Sequence, residues 1–133
     1  MADIATDIGD LLATAGAGSV VAPVTIFNGR LSDKPDNAIA VRPMPGSAPV
    51  RGMGPSLTAP LRERPDVQII VRNLRYVDLM TKVSVIKAAL DRFVGTISGK
   101  AYYIELAYEP MYMGVDENNR HQSSLVFGIY RER

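Results

Sequence analysis

The chain has 133 residues, of which 47% are apolar and 22% are charged, and its formal net charge is +1. This length is typical of one domain with a real core, and the charge gives no global basic field for nucleic acid. The sequence has no cysteine, which excludes disulfides, thiolate metal sites and cysteine nucleophiles.

No apolar run approaches the roughly 18–20 residues that a membrane span requires. The N-terminal segment MADIATDIGD is acidic, and it lacks the basic region that begins a secretory signal. We therefore expect a soluble protein that is kept or assembled in the cytoplasm.

Two segments carry apolar residues at helical spacing. Residues 2–15 predict a short amphipathic helix, with Asp3 suited to its start and Gly16 to its end. A stronger pattern predicts a helix over residues 76–94, closed by Gly95. Its predicted apolar face consists of Tyr76, Met80, Val83, Ile86, Leu90, Phe93 and Val94.

Five runs with strand composition accompany these helices. They cover residues 24–27, 38–42, 67–72, 101–108 and 123–131. The last two, joined by the polar loop 109–121, predict a closing hairpin-like unit. This order predicts a single α+β domain over residues 1–133, with a small, mixed, mainly antiparallel sheet of about five strands and both helices on one face.

A proline-rich segment separates the second and third predicted strands. Six of the nine prolines of the chain lie in residues 43–65, together with three glycines. Proline removes a backbone donor and glycine weakens regular structure, so we predict a long, semi-rigid inter-strand loop. Arg51, Arg62 and Arg64 make this loop mildly basic, which suits solvent, an acidic protein surface or nearby DNA.

The residues around the single histidine are the candidates for chemistry. His121 lies near Asp116, Ser123 and Ser124 in the sequence, but successive strand residues alternate between faces and build no triad by proximity. The segment 115–119 lacks the spaced ligands of a calcium loop, and a polar turn is the favoured interpretation. We predict no cofactor, metal or catalytic residue. A small hydrolase or metal-dependent enzyme using His121 and Asp116 is an alternative.

Three stretches in order, residues 27–46, 64–91 and 113–131, resemble the tail-terminator or minor capsid proteins of long-tailed bacteriophages. The positions that carry the resemblance are Pro35-Asp36-Asn37, Val67-Gln68 through Arg72, Tyr76, Gly114, Asp116 and Arg120. Two features depart from the family pattern: Ser32 stands where proline is common, and the 43–65 segment is longer than usual.

The resemblance implies a non-enzymatic virion protein of the tail or neck, assembled in the host cytoplasm. Its relatives form a hexameric ring that ends the tail tube and meets the head-completion (stopper) protein, and DNA passes through the lumen. Another head–tail connector or a tail-tube component is the alternative within the same machine. A closed ring needs two different complementary surfaces on each subunit.

We expect the long loop and the turn before the last strand to supply contacts between subunits or rings. In the turn, Asp116 and Arg120 would either fix the local geometry or pair across a subunit boundary. The predicted interface residues are Arg51, Met53, Leu57, Leu61, Arg62, Arg64, Asp116 and Arg120.

Overall fold

The computed structural model describes residues 4–20, 25–31, 35–51, 60–97 and 99–132. Its elements are α1 (Ile4–Thr14), β1 (Ile26–Asn28), β2 (Ala38–Arg51), β3 (Pro60–Asn73), α2 (Tyr76–Leu90), β4 (Phe93–Ile97), β5 (Lys100–Val115) and β6 (His121–Glu132). Within these residues the strands form one sheet of six, in the order β1-β2-β3-β6-β5-β4. Only the β1–β2 pair is parallel. The α+β class and the mainly antiparallel sheet are confirmed, and the described strands number six rather than five.

The core lies on one face of this sheet because strand side chains alternate. Positions 67, 69 and 71 of β3 and positions 125, 127 and 129 of β6 are all buried against it. Each helix contributes its own apolar stripe, including Ile8 and Leu12 of α1 and Ile86 and Leu90 of α2. The prediction that both helices pack on one face is therefore confirmed.

Helix α2 ends earlier than its apolar pattern predicts. It stops at Leu90, and Arg92 then adopts a left-handed φ of 63°. Residues 93–97 pair with residues 100–104 instead of continuing the helix. Val94 is consequently 75% exposed. The assignment of residues 93 and 94 to the helix was wrong because the start of β5 offers a pairing partner, which local spacing does not reveal.

The proline-rich segment is mostly strand. Residues 43–51 continue β2 and residues 60–65 begin β3, and the two run antiparallel with register shifts after Met44. The Ile39 amide and the Val41 carbonyl bond away from β3, toward Thr25 and Gly29. Pro43 has the same parity, so the donor that it lacks falls on the outer edge, where proline is tolerated. The predicted 43–65 loop was therefore too long, and residues 52–59 lie outside the described residues.

A buried polar contact joins α1 to the sheet. Tyr102 of β5 donates its hydroxyl hydrogen to the carboxyl group of Asp7, and Arg131 Nη1 lies 3.3 Å from the Tyr102 oxygen. Asp7 and Tyr102 are each 2% exposed. Burial, reinforced by the hydrogen bond to Asp7, raises the pKa of Tyr102 to about 12.

This raised pKa predicts that the folded protein loses stability at high pH. The unfolded chain releases the Tyr102 proton near pH 10, whereas the folded chain holds it to about pH 12. Between these values the free energy of unfolding should fall by about 1.4 kcal/mol per pH unit from this group. When urea unfolding is measured across that pH range, the free energy of unfolding should fall less steeply with pH for Tyr102→Phe than for the wild type. Tyr108→Phe, at a side chain 70% exposed, is the control and should leave the slope unchanged; equal slopes for both variants would contradict the prediction.

Candidate functional site

A polar network built around two buried arginines, here called the clamp, consists of Asp36, Arg72, Asp116 and Arg120. The Arg120 side chain is only 7% exposed, and its Nε donates to Asp116 Oδ2 at 2.8 Å while its Nη1 lies 3.5 Å from Asp36 Oδ1. Arg72 donates from Nε to the Asp36 carbonyl at 3.0 Å and from Nη2 to the Pro35 carbonyl at 2.6 Å. The clamp thus ties the loop before β2 to the end of β3 and to the β5–β6 turn.

Asp116 also shapes the turn in which it lies. Its Oδ1 accepts from the backbone amides of Asn118 at 2.9 Å and Arg120 at 3.0 Å. Asn119 takes a left-handed φ of 60°, which asparagine tolerates better than most residues. The Arg120 amide, with further help from the Asn118 amide and the Arg120 side chain, lowers the pKa of Asp116. Asp116 and Arg120 therefore pair within one chain and fix the geometry of this turn.

Three aromatic side chains stack beside the clamp. The Tyr76 ring lies 5.5 Å from the Tyr112 ring and 5.9 Å from the His121 ring, both edge-on. Tyr112 Oη and His121 Nδ1 are 2.7 Å apart. The prediction that Tyr76 belongs to the buried face of α2 was wrong: its side chain is 49% exposed.

These rings continue into an exposed apolar surface, here called the corner patch. Its members combine large apolar side chains with exposures of 45% or more: Leu74, Tyr76, Val77, Tyr112 and Val115. The Leu74 amide donates to Asn37 Oδ1 at 3.0 Å, which holds the corner between β3 and α2 in place. The arrangement resembles a protein contact surface, in which exposed apolar side chains stand on a rigid support.

The side chains proposed for chemistry have structural partners. Both oxygens of Asp116 accept hydrogen bonds, and His121 Nδ1 bonds Tyr112. Ser123 Oγ donates to the Met111 carbonyl at 3.0 Å, and Ser124 Oγ accepts from Gln68 at 2.9 Å. Among the described residues, no group of three or more His, Cys, Asp or Glu could hold a metal ion. The geometry therefore favours a structural role for this cluster.

The structure separates the two groups of predicted interface residues. Arg62 and Arg64 lie in β3 near the C-terminal end of β6, whereas Asp116 and Arg120 precede its start. Arg64 is half-buried, with its guanidinium carbon 5.9 Å from the centre of the Tyr130 ring. Met53 and Leu57 lie outside the described residues, and so do the side chains of Arg51, Leu61 and Arg62.

Comparison with known proteins identifies the family to which this sequence belongs. A family model described as bacteriophage tail terminator protein matches residues 13–132. The chain belongs to the bacteriophage tail terminator family. It is accordingly a structural protein of the phage tail that associates with other tail components. Among the described residues, no helix is both long and apolar enough to cross a membrane.

A solved structure shares the fold of this tail terminator. The two align with a TM-score of 0.59 at 13% sequence identity, covering 93% of this chain and 95% of the other. No curated protein matches the sequence.

Residues from all three stretches that resemble the family converge at one end of the sheet, in the clamp and the aromatic cluster. Sequence reasoning missed Leu74, Val77 and Tyr112. A usable signal was present for Val77, which is apolar but lies off the predicted buried stripe of α2.

Proposed function

We propose that this tail terminator closes into a hexameric ring that ends the tail tube and joins the tail to the head-completion (stopper) complex. The observation that carries the proposal is the clamp: residues far apart in the sequence form a rigid support for an exposed apolar corner. Such a support suits repeated, precisely oriented protein contacts. A ring requires head-to-tail contacts of this kind, with different surfaces on the two sides of each subunit.

The proposed role is non-enzymatic. The side chains nearest to a catalytic arrangement are held by local hydrogen bonds, and the corner patch offers apolar contact area rather than a lined pocket for a substrate. DNA is proposed only as passing cargo in the lumen, because a net charge of +1 gives little attraction for a phosphate backbone. We place the protein in the tail or neck of the virion, after assembly in the host cytoplasm.

The β2–β3 hairpin is the second proposed contact element. Its strands extend to Arg51 and Pro60, well beyond the part of β2 that pairs with β1. Prolines restrict the unfolded chain and so reduce the entropy lost on docking. We propose that its distal part, with Arg51, Met53, Leu57, Leu61, Arg62 and Arg64, contacts a neighbouring subunit or the tail tube.

Replacing residues 52–59 by a short Gly–Ser turn tests the hairpin. The change spares every described strand residue, so the monomer should keep its far-ultraviolet circular dichroism and its cooperative unfolding. Attachment to purified tail tubes should be lost, as measured by co-sedimentation and negative-stain imaging.

A shuffled 52–59 segment of the same composition is the matched control for segment length and proline content. If the contact depends on the order of the side chains, the shuffled variant should also fail to attach. If it depends only on their composition, the shuffled variant should attach as the wild type does. Normal attachment by the Gly–Ser variant would contradict the role of the hairpin and leave the family assignment intact.

A further inference from the structure

The face of the sheet opposite the helices has the composition of an interface. Positions of even number in β6 point away from the core, and so do their partners across the sheet. This uncovered face carries Tyr103, Tyr108, Met111 and Tyr130, with Tyr108 70% and Met111 62% exposed. The solvent face of an antiparallel sheet is ordinarily polar, and Tyr, Met and Arg are the residues enriched in protein interfaces.

An acidic notch lies in this face. It is formed by Asp66, Tyr103, Glu105, Gly128 and Tyr130. Gly128 pairs with Asp66 on one side and Glu105 on the other, so two carboxylates flank a position without a side chain. A Cβ built at Gly128 would meet only Asp66 Oδ1, at 3.6 Å, within 4 Å. There is therefore room above Gly128 for at least a Cβ atom.

Two tyrosines wall the notch, and two cations lie near it. The Arg64 guanidinium carbon is 5.9 Å from the centre of the Tyr130 ring, and Arg92 lines the same depression as Tyr103 and Glu105. The rings of Tyr103 and Tyr130 are 5.9 Å apart, and the Tyr103 hydroxyl donates to Glu105 Oε2 at 3.3 Å. In the described part of the chain no ion pair involves Asp66 or Glu105. Two carboxylates with aromatic neighbours favour a guanidinium or ammonium group and disfavour the phosphates of DNA.

The same chain presents a matching group at its corner. Arg75 lies between Leu74 and Tyr76 of the corner patch, and its side chain is 77% exposed. Its contact with Asp78 is loose, at 3.9 Å. Leu74, Arg75, Tyr76 and Val77 thus form a projecting knob of one cation among apolar and aromatic side chains, here called the corner knob. Arginine and tyrosine are among the residues that most often dominate binding energy in interfaces.

We propose that the corner knob of one subunit docks on the uncovered sheet face of the next copy of this chain, with Arg75 entering the acidic notch. The proposal rests on the ring put forward above and names the contact that closes it. The notch carboxylates attract the Arg75 cation of a second copy and repel the phosphates of DNA, so a second copy of this chain is the favoured occupant. The two surfaces differ, so the contact is head-to-tail and can propagate around a closed ring.

The two surfaces cannot meet within one subunit. Asp66 and Asn73 are both in β3, and their separation along a strand is about 23 Å; Arg75 lies two residues further on. A disulfide needs Cα atoms closer than about 7 Å. Any disulfide between positions 66 and 75 must therefore join two copies.

The absence of cysteine from the chain makes disulfide trapping a direct test. The variant Asp66→Cys/Arg75→Cys, oxidised and run on a non-reducing gel, should give a ladder that ends at the closed oligomer. Asp66→Cys/Ser84→Cys is the matched control, because Ser84 is exposed like Arg75 but lies on α2, away from the corner. The ladder should exceed that of the control by roughly tenfold, since docking raises the local thiol concentration.

Charge reversal provides the second arm. Arg75→Glu should raise the concentration needed for half-assembly by roughly tenfold or more, as followed by sedimentation velocity, and Asp66→Arg/Glu105→Arg on the same chain should restore it. A wild-type ring with no ladder above control and no effect of Arg75→Glu would overturn the contact and leave the ring standing. A wild-type chain that forms no ring, alone or on tail tubes, would contradict both.

Discussion

Replacing Arg120 by alanine is expected to lower the free energy of unfolding by about 3 kcal/mol. The guanidinium is almost fully buried and holds the Asp116 and Asp36 carboxylates. Alanine would leave these acceptors without their cation and release the loop that precedes β2. Urea denaturation at neutral pH measures the loss. Arg75→Ala, at a side chain 77% exposed, should change stability by no more than about 0.5 kcal/mol.

A double-mutant cycle with Asp116→Ala separates the ion pair from other effects of truncation. Since Asp116 and Arg120 act as one unit, the double variant should lose less stability than the sum of the single variants. The lowered pKa of Asp116 adds a pH signature: its contribution is present above the ordinary value of 3.8 and is lost as the pH falls through the folded-state pKa. Two results would contradict the clamp as described. One is additive effects of the two substitutions. The other is an Asp116→Ala variant whose free energy of unfolding falls with decreasing pH as steeply as that of the wild type.

Replacing Gly128 by leucine is expected to abolish ring assembly while leaving the monomer folded. Gly128 is not a left-handed glycine, and a Cβ there would make only an ordinary contact with Asp66. Leucine suits a strand better than glycine does, so thermal unfolding should be unchanged or slightly raised. The side chain would, however, fill the acidic notch and exclude a neighbouring arginine. Sedimentation velocity should then show monomers at concentrations where the wild type forms rings.

Thr96→Leu is the control for added apolar surface. Thr96 is exposed on β4 and pairs with Ala101, which has the same parity as Tyr103, so the new leucine lies on the same face but outside the notch. It should leave assembly within about twofold of the wild type. Rings formed by Gly128→Leu with wild-type affinity would contradict the inferred contact, whereas an unfolded variant would show that the backbone at Gly128 is more constrained than its φ indicates.

The sequence by itself determined the class of the fold and the family. Alternation of apolar residues in 123–131 placed Leu125, Phe127 and Ile129 on one face, and the structure buries all three. The stripes of both helices predicted two elements packed on that face. These predictions succeeded because strand alternation and helical spacing are local properties that burial on one side of a sheet imposes directly. The family motifs likewise stand in short, ordered stretches that can be read without the fold.

Only the tertiary structure decided where β2 and β3 end, that residues 93–97 form a strand, and which residues make the site. Strand pairing supplies hydrogen bonds that override the poor propensity of a proline-rich segment. Residues 43–51 pair with residues 60–67, and β3 in turn pairs with β6, which lies far along the chain. The clamp brings together residues 36, 72, 116 and 120, and the acidic notch residues 66, 105 and 128. Each group lies on three separate segments of the chain, whose register and turn geometry must be known before their side chains can be seen to meet.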